Sequence, residues 1–288
     1  MLQKLQNLDR RWIFLLMLLA VGCPMLADWP LPEKPTGLVR QTFEMIDRLP
    51  AGSKILLSWD WDPSAEGELG PMANAFVRHC CEKKHKMVFI ALWPVGQQLI
   101  DDTIRQIIHT DYPQLVYGRD YVNLGFKPGN EGVIKVLLTD LRQLYTTDAL
   151  GTNIEKIPVM RGVNTVRDFD LVISVSGGYP GIKEWVQYAS AAYPNQIRLI
   201  GGTTGVSAPL LYPYIPDQLQ GLLGAIKGAA EYEQLLLEKY PPLHNEDRGK
   251  YQLALRRMGP QLVAHLLMIG LIVLGNILYF AARRAQRT

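Results

Sequence analysis

The middle of the chain alternates between short apolar runs and longer stretches whose apolar residues recur every three or four positions. Residues 86–92 (KMVFIAL) and 170–175 (DLVISV) are continuous, partly β-branched runs of strand length. Residues 97–109 instead place their apolar side chains on one helical face. The predicted strands are 53–59, 86–92, 120–126, 170–175 and 196–200. The predicted helices are 38–49, 71–81, 97–109, 132–145, 181–192 and 217–240.

This alternation predicts an α/β fold. Strands that are apolar throughout and separated by helices are typical of a parallel sheet buried on both faces. We therefore expect a three-layer αβα sandwich with a mainly parallel, Rossmann-like or flavodoxin-like sheet over residues 37–245. Residues 145–169 interrupt the rhythm and predict an excursion or lid, since a loop of this length in a compact domain is functional or mobile.

Each end of the chain carries an apolar block. Residues 12–27 contain no charge but number only 16, at the short limit for a spanning helix, and Pro24 weakens the last turn. They predict an N-terminal anchor, with a cleaved signal peptide or lipidation at Cys23 as alternatives. Residues 262–282 form a longer uncharged block followed by arginines, which predicts a C-terminal transmembrane helix.

These blocks define the predicted organisation. The first segment is a transmembrane or signal-anchor helix at 12–28, joined by a linker at 29–36 to the domain, and a juxtamembrane helix at 246–261 leads into the second span. The tails are residues 1–11 and 283–288. Basic residues are balanced, with six in the two outer tails and six on the flanks of the blocks that face the domain. The signal-like start favours a hairpin in a bacterial-type inner or plasma membrane, with both termini cytoplasmic and the domain extracytoplasmic.

Composition narrows the class of protein further. Thirty basic against 27 acidic residues leave a net charge of +3, which gives no reason to expect nucleic-acid binding. A hydrophobic content of 48% excludes a disordered polymer. Three cysteines do not form a disulfide framework.

The loops after the strands hold the candidate binding residues, because ligands of open parallel sheets bind at the carboxyl ends of the strands. Two glycine pairs predict an anion site through backbone N–H groups, or simply tight turns. Neither pair belongs to a dinucleotide fingerprint or a P-loop. The candidate ligand- or anion-binding residues are Ser176, Gly177, Gly178, Gly201, Gly202, Thr203 and Lys127.

Two further features fall at this edge. Asp60, Asp62, Glu66 and Glu68 predict either a divalent-metal site or a solvated acidic turn; no other cofactor is expected. The second feature is a group of aromatic and apolar side chains, which predicts either a binding surface or a cap on the core. These side chains are Trp59, Trp61, Trp93, Phe126, Tyr179, Leu210, Leu211, Tyr212 and Tyr214.

Small residues recur within the predicted helix 217–240. On one helical face they would allow another backbone to approach closely, either within the domain or across an interface with another subunit. The candidate interface residues are Gly221, Gly224, Ala225, Gly228 and Ala229.

The chain contains no motif that identifies a catalytic nucleophile, such as G-x-S-x-G. The expected function is therefore a non-catalytic, membrane-anchored subunit that presents its α/β domain for assembly or binding, with other membrane subunits or a second copy as partner. One alternative is a ligand sensor or solute-binding component of a membrane system. The other is a membrane-bound, metal-assisted hydrolase or transferase.

Overall fold

A computed structural model describes residues 9–27, 32–242 and 249–285. The chain divides into two units. One comprises residues 33–254 and contains the sheet, and the other comprises residues 1–32 and 255–288. The sheet-bearing unit contains residues 37–245, over which the sequence predicts the α/β domain.

The sheet-bearing unit has six strands and eight main helices among its described residues. The strands are β1 (Lys54–Asp60), β2 (Lys86–Ala91), β3 (Tyr121–Phe126), β4 (Leu171–Ser176), β5 (Leu199–Thr203) and β6 (Gly221–Gly224). Helix α1 (Arg10–Leu26) belongs to the other unit. The helices of the sheet-bearing unit are α2 (Gly37–Asp47), α3 (Glu66–Glu82), α4 (Gly96–Thr103), α5 (Glu131–Thr139), α6 (Leu141–Leu144), α7 (Ile182–Glu184), α8 (Ala208–Leu211) and α9 (Ala225–Lys239). Helices α4 and α7 continue as π-helical turns over Ile104–His109 and Trp185–Ser190.

All six strands run parallel in the order β3-β2-β1-β4-β5-β6, which confirms the predicted parallel α/β class. The chain order reverses between β1 and β4. In open parallel sheets this switch point forms a crevice at the carboxyl ends of the strands, where ligands usually bind. The fold therefore directs attention to the residues that follow β1 and β4.

Helices cover both faces of the sheet. The face that carries Leu56 and Val172 packs against α5, α6 and the π-helical turn at Trp185. The opposite face packs against α3, α4 and α9. This three-layer arrangement follows from strands whose side chains are apolar on both faces.

The excursion at 145–169 is part of the core. Its side chains at Ile154, Val159 and Phe169 are buried in the main hydrophobic cluster. The Ala149 N–H donates to the Asn123 carbonyl at 2.9 Å, so this segment covers the open edge of β3. Covering an edge strand in this way prevents pairing with another chain. The excursion therefore acts as structure rather than as a lid.

The predicted helix 217–240 is wrong over its first eight residues. Residues 221–224 form β6, and the helix begins only at Ala225. Leu219, Leu222 and Leu223 fit helical and strand spacing equally well in so short a run, so periodicity alone did not separate the two.

Because residues 221–224 form a strand, the small residues do not line one face of a helix as predicted. Gly221 and Gly224 lie in a strand, so they do not share a helical face with Ala225, Gly228 and Ala229. A Cβ atom at Gly228 would lie 3.0 Å from the Leu223 backbone. Ala229 is fully buried. The small residues thus allow close packing within the domain.

In the second unit, α1 is a helix of 17 residues, and α10 (Leu253–Ala285) runs through Pro260 without interruption. Among the described residues, one helix is long and apolar enough to cross a membrane: the stretch Leu253–Ala281. The predicted C-terminal span is thereby supported and begins earlier than expected. An N-terminal span is not shown, because α1, with 17 residues, is at the lower limit of spanning length.

We expect Gly221→Ala to destabilise the domain by about 1–3 kcal/mol, the usual cost of overpacking. The added Cβ would lie 2.9 Å from the Thr42 Cα atom of α2, where backbone has to move. Gly67→Ala is the matched control, since nothing lies within 4 Å of a Cβ atom built there. Thermal unfolding of the full chain in detergent should rank Gly221→Ala clearly below the control. Equal melting temperatures would contradict the close approach of α2 to β6.

Candidate functional site

Strand register brings several of the predicted site residues to one edge. Asp60 pairs with Ser176, and Ser176 pairs with Thr203, so the last residues of β1, β4 and β5 lie side by side. Lys127 follows the end of β3, and its ammonium group lies 5.4 Å from the centre of the Tyr145 ring. The carboxyl edge predicted from the sequence is therefore present.

Asp60 connects three strands at this edge. Its Oδ1 accepts the Leu92 N–H at 2.6 Å, and its Oδ2 accepts the Ser58 hydroxyl at 2.5 Å. Its backbone carbonyl accepts the Gly177 N–H at 3.0 Å. The side chain is fully buried. Burial raises the pKa of Asp60 to about 7, although the hydrogen bonds from Ser58, Leu92 and Trp93 act in the opposite direction.

The crevice at the switch point is filled by the protein's own side chains. A Cβ atom at Gly177 would lie 3.3 Å from Trp61 Cβ, and one at Gly178 would lie 3.5 Å from Trp93 Cζ2. Trp61 is 1% exposed, and Trp93 Nε1 donates to the Pro180 carbonyl at 2.8 Å. The glycines at this turn therefore accommodate indole rings. This packing occupies the place where a nucleotide lies in folds of this strand order.

The first glycine pair does not lead to a free helix N-terminus. The Gly181 N–H donates to Glu184 Oε2 at 2.8 Å, and the Ile182 N–H donates to Ser176 Oγ at 3.1 Å. An anion there would compete with the buried carboxyl group of Glu184. The N–H groups of Gly177, Gly181 and Ile182 are therefore engaged by Asp60, Glu184 and Ser176 and are not free for an anion.

The second glycine pair lies inside β5, which runs from 199 to 203 instead of ending at 200 as predicted. A Cβ atom at Gly202 would lie 2.7 Å from Met72 Sδ, and one at Gly201 would meet the Ser174 carbonyl and Ile182. The Thr203 hydroxyl donates to the Ser176 carbonyl at 2.9 Å. Gly201 and Gly202 are thus packing positions of a central strand, and they do not form a loop that binds an anion.

The four acidic residues after β1 do not converge on one point. Asp62 is exposed and accepts the Ser64 N–H at 2.8 Å. Glu66 accepts Trp61 Nε1 at 2.9 Å, and Glu68 accepts the Gly205 N–H at 2.9 Å. Within the described ranges, no group of three or more potential ligands could hold a metal ion. The arrangement therefore offers no ligand set for the predicted divalent metal.

The aromatic and apolar side chains at this edge divide into three groups. Trp59, Trp61 and Leu211 are buried and belong to the core. Trp93, Phe126 and Tyr214 are half-buried. The remaining three stand out into solvent, with exposed fractions of 58% for Tyr179, 66% for Leu210 and 54% for Tyr212. Both alternatives predicted from the sequence are therefore realised, each by a different subset.

Val206, 89% exposed, joins these three side chains. We call Tyr179, Val206, Leu210 and Tyr212 the carboxyl-edge patch. A pocket of about 190 Å³ opens beside Tyr179 and Leu210, which both line it. Its lining residues include Ser176, Ile182, Thr203, Ser207, Leu210 and Leu211. Exposed apolar side chains grouped around a pocket are typical of a binding surface.

A second cavity lies beside β3, away from the switch point. It has a volume of about 320 Å³, and Asp101, His109, Tyr117, Asn123 and Leu150 are among its lining residues. Sequence reasoning did not identify this site, because its residues come from α4, β3 and the excursion and are far apart in the chain. The π-helical turn Ile104–His109 is of a kind often found at functional sites, and it is visible only in the structure.

No protein-family model matches the chain, and no curated protein shows significant sequence similarity to it. The functional conclusion therefore depends on the geometry of the carboxyl edge.

We expect the free energy of unfolding to decrease as the pH rises from about 4 to 7, because of Asp60. The unfolded carboxyl group ionises with a pKa near 4, and the folded one with a pKa of about 7. Below both values the group is protonated in both states and contributes nothing. Between these two pKa values the carboxyl group ionises only in the unfolded state, which favours unfolding. Above about pH 7 this loss of stability has reached its full size.

Asp60→Asn keeps a neutral group of the same shape and should remove this loss. The difference in free energy of unfolding between Asp60→Asn and wild type should therefore grow by roughly 2–3 kcal/mol in favour of the variant as the pH rises from 5 to 8. Asp62→Asn is the control, since Asp62 is exposed and the hydrogen bonds from Ser64 lower its pKa. Chemical unfolding followed by tryptophan fluorescence measures both. Parallel pH profiles for wild type and Asp60→Asn would show that Asp60 is ionised in the folded state.

Proposed function

We propose that the protein is a non-catalytic, membrane-anchored subunit whose α/β domain binds another subunit of a membrane complex through the carboxyl-edge patch. The observation that carries this proposal is the exposure of Tyr179, Val206, Leu210 and Tyr212, of which Tyr179 and Leu210 line one pocket. Soluble surfaces rarely expose several large apolar side chains together unless something binds them.

The size of the pocket supports a protein partner. Sites for small molecules usually enclose about 300–1,000 Å³, and this pocket encloses about 190 Å³. That volume is suited to one inserted side chain. Protein interfaces commonly depend on a single apolar anchor in such a pocket, surrounded by contacts that exclude water.

The filled crevice at the switch point supports the same function. Trp61 and Trp93 occupy the place where a nucleotide or substrate would lie, and the neighbouring carboxylates are each engaged separately. A metal-assisted hydrolase or transferase at this edge therefore gains no support from the geometry. Binding by an exposed surface needs neither a crevice nor a nucleophile.

The proposed membrane arrangement depends on the C-terminal helix. Leu253–Ala281 is long enough to cross a bilayer, and the arginines after it suit a cytoplasmic end. Our proposal retains α1 as a second anchor, with both termini cytoplasmic and the domain extracytoplasmic. An alkaline phosphatase fusion at Lys127 should then be active in a bacterial host. Activity of a cytoplasm-specific reporter at that position would reverse the orientation.

The cavity beside β3 favours a second candidate function, that of a ligand sensor. Its volume of about 320 Å³ is within the range of small-molecule sites. The Asp101 carboxylate accepts the Asn123 amide there at 2.9 Å, so polar groups and the apolar Leu150 side chain line one space. A metabolite library that leaves the melting temperature of the full chain unchanged would count against this function.

Leu210→Asp should disrupt the native complex. The substitution places a charge in the centre of the apolar patch, and burying an unpaired charge at an interface is strongly unfavourable. Since Leu210 is 66% exposed, the melting temperature of the isolated protein should hardly change. Leu150→Asp is the matched control, because Leu150 is 73% exposed but lies outside the patch.

The measurement is the size of the complex extracted from its own membranes in mild detergent. Wild type and Leu150→Asp should migrate as a large species, and Leu210→Asp as the separated chain. If all three migrate alike, whether large or small, the proposed function fails.

A further inference from the structure

Carboxylate groups border the carboxyl-edge patch on two sides. Glu131 accepts a hydrogen bond from the Tyr179 hydroxyl, and this bond lowers the pKa of Glu131, which keeps it ionised at neutral pH. On the other side, Glu68 accepts the N–H of Gly205, the residue before Val206. Both carboxylates thus contact segments that carry the exposed apolar side chains.

The described part of the carboxyl edge carries more acidic than basic side chains. Asp60 adds no charge to the surface, because it is buried. Apart from the buried Glu184, the loops that follow β1, β3 and β4 and the first turns of the helices after them contribute four acidic and two basic side chains. These are Asp62, Glu66, Glu68, Glu131, Lys127 and Lys183.

The sign of this charge distinguishes between possible occupants of the patch. A second copy of the chain would bring the same acidic border, and like charges across an interface cost several kcal/mol. An anionic lipid surface would be repelled for the same reason. A segment with Lys or Arg beside its apolar anchor would gain from the same charges, which also steer association.

We propose that the carboxyl-edge patch binds a basic peptide segment of a partner protein, in which one large apolar side chain enters the 190 Å³ pocket and neighbouring Lys or Arg side chains face Glu68 and Glu131. The pocket supplies affinity by removing the anchor from water. The carboxylates select a basic partner and fix the orientation of the bound segment. This inference rests on the proposed function and specifies the chemistry of the partner.

The probe that tests it is a random library of short displayed peptides, selected against the full chain in phosphatidylcholine nanodiscs. The enriched peptides should combine one large apolar residue with Lys or Arg within two positions on each side. Their affinity should fall at least tenfold in Leu210→Asp and remain unchanged in Leu150→Asp. Val206→Asp provides a second patch variant, since that side chain is 89% exposed and its replacement does not disturb the core.

The charge requirement is tested separately. The double variant Glu68→Gln and Glu131→Gln keeps side-chain oxygens as acceptors for Gly205 and Tyr179 but removes both charges. Its affinity for the selected peptides should fall several-fold at low salt, and the difference should shrink as salt is added. Glu155→Gln is the control, because Glu155 is an exposed carboxylate in the excursion.

Enrichment of acidic or uncharged peptides, or affinity that is independent of Leu210, would overturn the inference. So would Leu210-dependent binding of the full chain to phosphatidylglycerol vesicles in place of peptides. These outcomes are distinct from failure of the proposed function. If Leu210→Asp separates the native complex while the selected peptides carry no basic residues, the function stands and only the partner chemistry is wrong.

Discussion

The carboxyl edge of the sheet is organised around the buried Asp60 carboxyl group. This group accepts the Leu92 N–H at the end of β2 and the Ser58 hydroxyl within β1, and the Asp60 carbonyl holds the Gly177 N–H after β4. Removing a carboxylate from water is costly, which is why the raised pKa accompanies the burial. The strand ends are thus joined by hydrogen bonds in a place where parallel α/β proteins usually leave a crevice.

The two tryptophans complete this closure. Trp61 follows Asp60 directly, and Trp93 follows Leu92, so the hydrogen-bonded strand ends also fix the start of each tryptophan-bearing loop. Trp61 Cβ lies beside Gly177 and the Trp93 ring beside Gly178, and neither glycine has a side chain to obstruct the contact. With the switch point closed, the exposed apolar surface lies farther along the sheet, after β4 and β5. Strand order alone directs attention to the switch point, but a fold does not determine where its function resides.

The sequence predicted the class of fold because apolar runs and helical stripes are long-range patterns that tertiary packing rarely overrides. It failed at β6, where four residues, GLLG, are too few for periodicity to decide, and at β5, where glycines resembled a turn. Gly201 and Gly202 are glycines because Ile182 and Met72 approach the strand closely, a fact that depends on residues distant in sequence.

The candidate site was predictable in location but not in chemistry. Ser176, Thr203, Tyr179 and Leu210 were all expected at this edge, and they are there. Whether a backbone N–H group is free for an anion depends on partners such as Glu184, and whether an aromatic ring is buried depends on the packing around it. Trp61 and Tyr179 both lie within three residues of the end of a strand, yet one is in the core and the other is 58% exposed.

The most direct test of the central claim is hydrogen–deuterium exchange of the chain, within its native complex and after purification alone. If a partner covers the carboxyl-edge patch, backbone amides in residues 204–214 should exchange more slowly in the complex, while those in 101–109 beside the β3 cavity should be unchanged. Slower exchange at 101–109 with no change at 204–214 would contradict the account and place the functional surface at the opposite side of the sheet.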